Sequence, residues 1–172
     1  MSAIDINNIY SGSYALSAGA GTWTPQAATT NATSLSTNAV DHNPAGQPLS
    51  ATPQNVQAGL GEPQAIVLIV TAQPGHASSE TYTVNLLTDT NANLTTAPVT
   101  LASLTIARTT VANTAFVMVI PPTLTFLRYS GLQFVLSDGG GTSSLSVVAY
   151  LVPVSFIENL PYYQSGWTIE NS

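Results

Sequence analysis

The sequence predicts an all-β protein, a jelly roll or two-sheet β-sandwich with extended N- and C-terminal arms. Three observations carry that expectation. Residues 80–90, E-T-Y-T-V-N-L-L-T-D-T, place Tyr82, Val84 and Leu86 on one side of a pleated strand and Thr81, Thr83 and Asn85 on the other. That period of two is what a strand with one buried face requires. Similar short strands recur along the chain, about seven of them at turn-punctuated intervals, as sandwiches and jelly rolls require. No stretch shows a convincing amphipathic helical period.

Taken in order, residues 1–33 read as an arm. Gly12, Gly19, Gly21 and Pro25 punctuate it, and Ala, Ser and Thr fill most of the remainder. Ile4, Ile6, Ile9, Tyr10, Tyr14, Leu16 and Trp23 are too many apolar groups for a solvated tail, since burying each is worth roughly 1.5–3 kcal/mol. They dock either on their own domain or on a neighbouring subunit. Residues 34–41 form a weak first strand anchored by Leu35 and Val40, and residues 41–61, rich in Pro and Gly, form a loop.

Residues 64–72 hold the continuous run Ile66, Val67, Leu68, Ile69, Val70, which argues for a central strand buried on both faces. Pro63 before it and Pro74-Gly75 after it leave too little room for a helix. The strand at 81–88 follows, and Asp89, Asn91 and Asn93 turn the chain through side-chain-to-backbone bonds. In residues 99–107 the apolar phase changes around Ala102-Ser103, which predicts a bulge. Phe116, Met118 and Ile120 mark a strand at 114–120, ended by Pro121-Pro122. Leu132, Phe134 and Leu136 mark the next strand. Asp138 and Gly139-Gly140-Gly141 predict a hairpin into a return strand at 143–152, with Leu145, Val147, Ala149 and Leu151 on one face. The expected division is therefore an arm at 1–33, a jelly-roll domain at 34–153 and a tail at 154–172, whose Phe156, Tyr162, Tyr163 and Trp167 suggest a second docking arm.

Composition narrows the function. Only 6% of the 172 residues are charged, against about 25% in an ordinary globular chain. There is no Lys, and Arg108 and Arg128 are the only cations in a chain of net charge −6. Two arginines cannot neutralise a run of phosphates, so neither nucleic acid nor an anionic membrane is an expected partner. The absence of cysteine removes disulfides, thiolate metal sites and thiol nucleophiles. The first ten residues lack the basic start of a secretory signal. The run at 65–70 is far shorter than the ~20 residues of a membrane helix, so the chain reads as soluble and cytosolically made.

No constellation argues for catalysis, a metal or a cofactor. His42 and His76 sit in loops without the spacing of a metal box, and are expected to be solvent-exposed. No G-x-S-x-G elbow occurs, and the three glycines at 139–141 are not followed by the Lys of a phosphate loop. The eight carboxylates are scattered, with no close pair in sequence. Asp89, Asn91 and Asn93 alternate as calcium ligands do, yet the glycine and distal glutamate of an EF-hand loop are missing. Arg128, rare in so charge-poor a chain, is expected either in an internal ion pair or at an inter-subunit contact.

An ordered set of segments carries a family resemblance. S-T-N-A-V-D at 36–41, G-L-G-E-P at 59–63, Y-T-V-N-L-L-T-D-T-N-A at 82–92, L-R-Y at 127–129 and V-V-A-Y-L-V at 147–152 occur in one sequence, with Y-Y-Q-S-G-W-T-I near the end. Together they resemble the jelly-roll cement (decoration) proteins of tailed bacteriophages, of the Bordetella short-tailed phage type. The resemblance covers residues 34–153. It implies a homotrimer on the outer capsid surface that clamps neighbouring subunits of the major capsid protein. The first 33 residues and the loop at 41–61 depart from the family pattern.

The expectation is thus a non-enzymatic capsid decoration protein of the virion. Its expected contacts are the N-terminal Ile4, Ile6, Ile9, Tyr10 and Trp23, the C-terminal Tyr162, Tyr163 and Trp167, and Arg128. The alternative is a carbohydrate-binding or adhesive β-sandwich of a tail or receptor-binding complex, which would need exposed loop aromatics.

Overall fold

The computed structural model describes residues 8–17, 20–29, 33–42, 56–57, 63–75, 80–121, 123–137, 143–157 and 164–170. Among the described residues, the N-terminal third contributes seven short strands: β1 (Ile9–Ser11), β2 (Ser13–Ser17), β3 (Ala20–Thr24), β4 (Gln26–Thr29), β5 (Thr33–Leu35), β6 (Val40–Asp41) and β7 (Val56–Gln57). The longer strands follow: β8 (Gln64–Gly75), β9 (Thr81–Asp89), β10 (Val99–Ile106) and β11 (Thr114–Val119). Then come β12 (Thr125–Phe126), β13 (Tyr129–Ser137), β14 (Ser144–Pro153), a single helical turn α1 (Val154–Ile157) and β15 (Trp167–Ile169).

Two antiparallel sheets face each other. One runs β1-β14-β8-β11, with β4 also on β14; the other runs β15-β10-β9-β13-β5, with β6 also on β13. Of the connections among β8, β9, β10, β11, β13 and β14, only β9 to β10 stays within a sheet. The others cross between sheets. That alternation is jelly-roll topology, and the all-β sandwich expectation is met.

The expected strand from 143 is present, but the expected hairpin is not. β13 pairs with β9, β5 and β6, whereas β14 pairs with β8, β1 and β4. The glycine-rich connection therefore joins opposite sheets. Alternation in β14 buries Leu145, Val147, Ala149 and Leu151 against the core whichever sheet the strand joins. Non-local pairing made the choice.

The inter-sheet core takes Ile66, Leu68 and Val70 from β8, Tyr82, Val84 and Leu86 from β9, and Leu132, Phe134 and Leu136 from β13. Because β8 is central, its other face is buried too. Ala65, Val67 and Ile69 join Ile9, Val117, Tyr150, Val152, Val154 and Ile157 in a second cluster, covered by Tyr14 and Trp23. The two-faced burial expected of the aliphatic run is observed. In β10 the register against β9 shifts between Thr100 and Ala102, which is the expected bulge.

The described residues of the N-terminal segment dock on their own domain, the first of the two expected alternatives. β1 lies against Tyr150 and Ala149 of β14, and β4 continues along the same strand from Val147 to Ser144. Together they make one edge strand, interrupted by an excursion over residues 12–25. Ser11 Oγ donates to Gln26 Oε1 at 2.9 Å across the break. The chain leaves the sheet at Gly12, whose φ of +83° and 2.6 Å clearance from Thr24 O at the Cβ position leave no room for a side chain. The excursion is the β2–β3 hairpin, in which Tyr14 faces Trp23. Trp23 stacks on Tyr150 at 5.4 Å, and Tyr14 packs on Trp23 at 5.0 Å. This aromatic stack seats the hairpin on the outer face of the first sheet.

The segment after Pro153 also docks on its own domain. α1 buries Ile157, Gln164 bridges Phe116 at the edge strand β11, and β15 pairs with β10. One short tail thus touches the edge strands of both sheets, and Trp167 packs on the core between them. Trp167→Ala is expected to cost about 2–3 kcal/mol through lost burial, read as a lower urea midpoint at unchanged m-value.

Candidate functional site

Alternation along the second sheet places one set of side chains outward, and the register lines them up across strands. Ser103, Asn85, Gln133 and Leu35 form one row; Thr105, Thr83, Val135 and Thr33 form the next. The first row is hydrogen-bonded to itself. Ser103 Oγ donates to Asn85 Oδ1 at 2.9 Å, and Asn85 Nδ2 donates to Gln133 Oε1 at 3.0 Å. At the margin Ser103 Oγ also contacts the carboxylate of Glu170. Neither row contains a charged residue. The rows can be covered by protein without stripping water from an ion within them, and the bonds joining Ser103, Asn85 and Gln133 survive when they are covered.

The β9–β10 loop bounds this face. Asp89 is buried, and its Oδ1 accepts from Asn91 N at 3.1 Å while Oδ2 accepts from Thr96 N at 3.0 Å and Ala97 N at 3.2 Å. Burial works against the charge, but the backbone N–H groups of Asn91, Ala97, Thr96 and Thr90 outweigh it and hold the carboxyl below its ordinary pKa. Asn91 Oδ1 accepts from Asn93 N at 3.0 Å, so these residues form the expected turn. Leu94, at a φ of 52°, folds back over Gly131, where an added Cβ would lie 2.3 Å from Leu94 Cδ1. Gly131 is opposite Leu87 in the register. Leu87, the apolar residue among the outward side chains of β9, is buried.

A second polar cluster lies where β6 meets β13. Asp41 takes the guanidinium of Arg128 through two bonds, Nε at 3.2 Å and Nη2 at 3.0 Å, and Arg128 lies over the Tyr129 ring at 4.9 Å. Next to it, His42 is half-buried rather than the exposed loop histidine expected. Its Nε2 is 2.7 Å from Ser130 Oγ, its backbone N–H donates to Arg128 O at 2.8 Å, and its ring packs 4.6 Å from Phe126. Ser130 Oγ also meets the Tyr10 hydroxyl at 2.9 Å. A serine–histidine contact is the geometry of an activated nucleophile. Here Ser130 is fully buried and its oxygen is flanked by Tyr10, so no substrate reaches it.

The family model named Bbp16 matches residues 24–148. The chain belongs to the Bbp16 family. The name points to a Bordetella phage protein, in line with the resemblance in the sequence. No curated protein matches the chain. The matched Bbp16 span runs from the end of β3 into β14 and contains β5, β9, β10 and β13, the strands that build the uncharged face.

The expected contact residues are distributed unevenly. Ile4, Ile6, Tyr162 and Tyr163 lie outside the described residues, as does His76. Ile9 and Tyr10 are buried within the domain, Trp23 is half-buried in the aromatic stack, and Trp167 is packed on the core. Arg128 makes the internal ion pair with Asp41. The structure brings none of these five into one exposed patch. It groups instead Thr83, Asn85, Ser103 and Gln133. Alternation marks their faces as polar, but only the register sets Asn85, Ser103 and Gln133 in one row with Thr83 in the next.

Proposed function

We propose that this protein is a bacteriophage capsid decoration protein that binds the outside of the major capsid protein shell as a homotrimer and stabilises it. The carrying observation is two rows of uncharged side chains within the Bbp16-matched span, the first hydrogen-bonded across three strands and bordered by Glu170. A chain of net charge −6 with so few cations meets a neighbour most cheaply through a face that holds no ion. Contact through Asn85, Ser103 and Gln133 buries hydrogen bonds already made. Bound copies then favour the assembled shell by RT ln(1 + [L]/Kd), with no catalytic step.

The test mixes the purified protein with shells stripped of it and follows cosedimentation and shell melting. Wild type should bind at many copies per particle and raise the shell's melting temperature. Asn85→Arg places a charge in the centre of the first row and is expected to weaken binding more than tenfold, about 1.4 kcal/mol or more, while the free protein still folds. Absence of wild-type binding to shells would sink the decoration reading. Unimpaired binding by Asn85→Arg would move the contact to another face.

A further inference from the structure

We propose that His42, Ser130 and Tyr10 form an acid-sensitive latch, which ties the β6 edge and the first strand to β13 and which mild acid releases. Three elements far apart in sequence meet at one fully buried hydroxyl. Ser130 Oγ is 2.7 Å from His42 Nε2 and 2.9 Å from the Tyr10 hydroxyl. The same junction is tied by backbone bonds from His42 N to Arg128 O at 2.8 Å and from Asn38 N to Tyr10 O at 3.0 Å. Tyr10 is itself part of the inter-sheet core. Opening this junction therefore frees β6 and loosens β1 together.

The chain of hydrogen bonds suits a neutral imidazole. If Tyr10 donates to Ser130 and Ser130 donates to Nε2, every buried group is satisfied with the ring proton on Nδ1. Protonation puts a hydrogen on Nε2 and turns Ser130 from donor to acceptor there, so that one hydroxyl hydrogen, that of Ser130 or of Tyr10, must find another acceptor. Burial raises the pKa of the Tyr10 phenol, although its bond to Ser130 acts in the opposite sense, so it stays protonated and keeps that demand. The charge on the ring is also poorly received. Phe126 packs against the imidazole, and Asp41, the neighbouring carboxylate, already holds Arg128 at 3.2 and 3.0 Å. From β13 come Tyr129 and the cation Arg128, and from β1 comes Tyr10. One strand further, Asp89 lies opposite Tyr129, with both oxygens held by backbone N–H groups. None of these offers the ring a free anion.

The direction with pH follows. Burial, partly offset by Asp41, holds the His42 pKa down to about 4 from the ordinary 6.5. Above the ordinary value neither state carries the proton, and acid has no effect. Below it the released imidazole binds a proton that the latched one refuses. The population of the open latch then grows about tenfold per pH unit, until the latched ring protonates as well and the trend levels off. This is a local opening. The central β8–β14 pairing contains no titrating partner of the latch.

Hydrogen exchange on the full chain between about pH 7.5 and pH 4.5, corrected for the intrinsic rate, tests the proposal. The His42 and Asn38 amides should lose protection by about fortyfold between about pH 6.5 and pH 4.5, while amides in β8 hold theirs. In His42→Gln, which keeps a neutral hydrogen-bonding group, the latch amides should show no such trend. A histidine titration by NMR on the unmodified chain should give one imidazole with a midpoint near 4. Flat protection in the native chain, an equal slope in His42→Gln, or both imidazoles titrating near their ordinary value would each overturn the latch.

Discussion

A chain that starts at residue 34 is expected not to fold as an independent domain. The segment reads in the sequence as an arm that docks on its own domain or on a neighbouring subunit, and the structure places two of its strands in the first sheet. β1 and β4 together line β14 from Tyr150 to Ser144, so truncation strips one edge of its partner. Ile9 leaves the outer cluster, and Tyr10 leaves the inter-sheet core. Each burial is worth roughly 1.5–3 kcal/mol before the cavity they leave is counted, and a domain of this size holds only about 5–15 kcal/mol in reserve. Tyr10→Ala alone should cost about 3–5 kcal/mol and lower the melting temperature by about 10 °C or more.

A companion variant separates the strands from the excursion. Because Ser11 and Gln26 meet at 2.9 Å, residues 12–25 can be replaced by a short glycine linker without moving either strand. That protein should keep its far-UV circular dichroism and a cooperative melt at lower temperature, having lost only the Tyr14 and Trp23 cover over Tyr150. A truncated chain that melted cooperatively within a few degrees of wild type would show that β1 and β4 are dispensable. It would return the segment to the role of an arm.

The parts legible in the sequence are those fixed by local alternation. Tyr82, Val84 and Leu86 are fully buried because a pleated strand with one wet face has only one place to put them. The aliphatic run of β8 announces its central position for the same reason, and the phase slip in β10 announces its bulge. What stayed hidden depends on partners distant in sequence. Glycines at 139–141 look alike whether the chain turns back into its own sheet or crosses to the other. The residues of β1 and β4 are short and without period, so their pairing with β14 has no local signature. His42 sits in a polar, turn-forming stretch, and its half-burial comes from the approach of Phe126 and Ser130, distant in sequence. The candidate face lies between these cases. Alternation makes Thr83, Asn85, Ser103 and Gln133 outward and uncharged, yet the hydrogen-bonded row of Ser103, Asn85 and Gln133 exists only once three strands adopt one register.

Asp89→Ala is expected to destabilise the protein by about 3 kcal/mol and to lower its melting temperature by roughly 5–10 °C. One carboxylate accepts the Asn91, Thr96 and Ala97 amides, and no water-facing side chain can replace it at a site with no exposed surface. Without it the loop that seats Leu94 over Gly131 loses its anchor, and Leu87 beneath is uncovered. The pH dependence identifies the cause. The folded pKa of Asp89 is depressed, so its contribution is complete above the unfolded carboxyl value near 3.9 and fades as the pH falls through the folded value. The loss attributed to His42 occurs at higher pH, between the ordinary imidazole value and about 4, so the two steps separate along one titration. Asp89→Asn keeps the shape and one acceptor but cannot titrate. Its stability should flatten below about pH 4, where wild type continues to fall, and should keep the His42 step above it. If the same variant binds shells as wild type does, the loop frames the sheet face without touching the capsid. If binding falls further than stability explains, Leu94 and its loop belong to the contact.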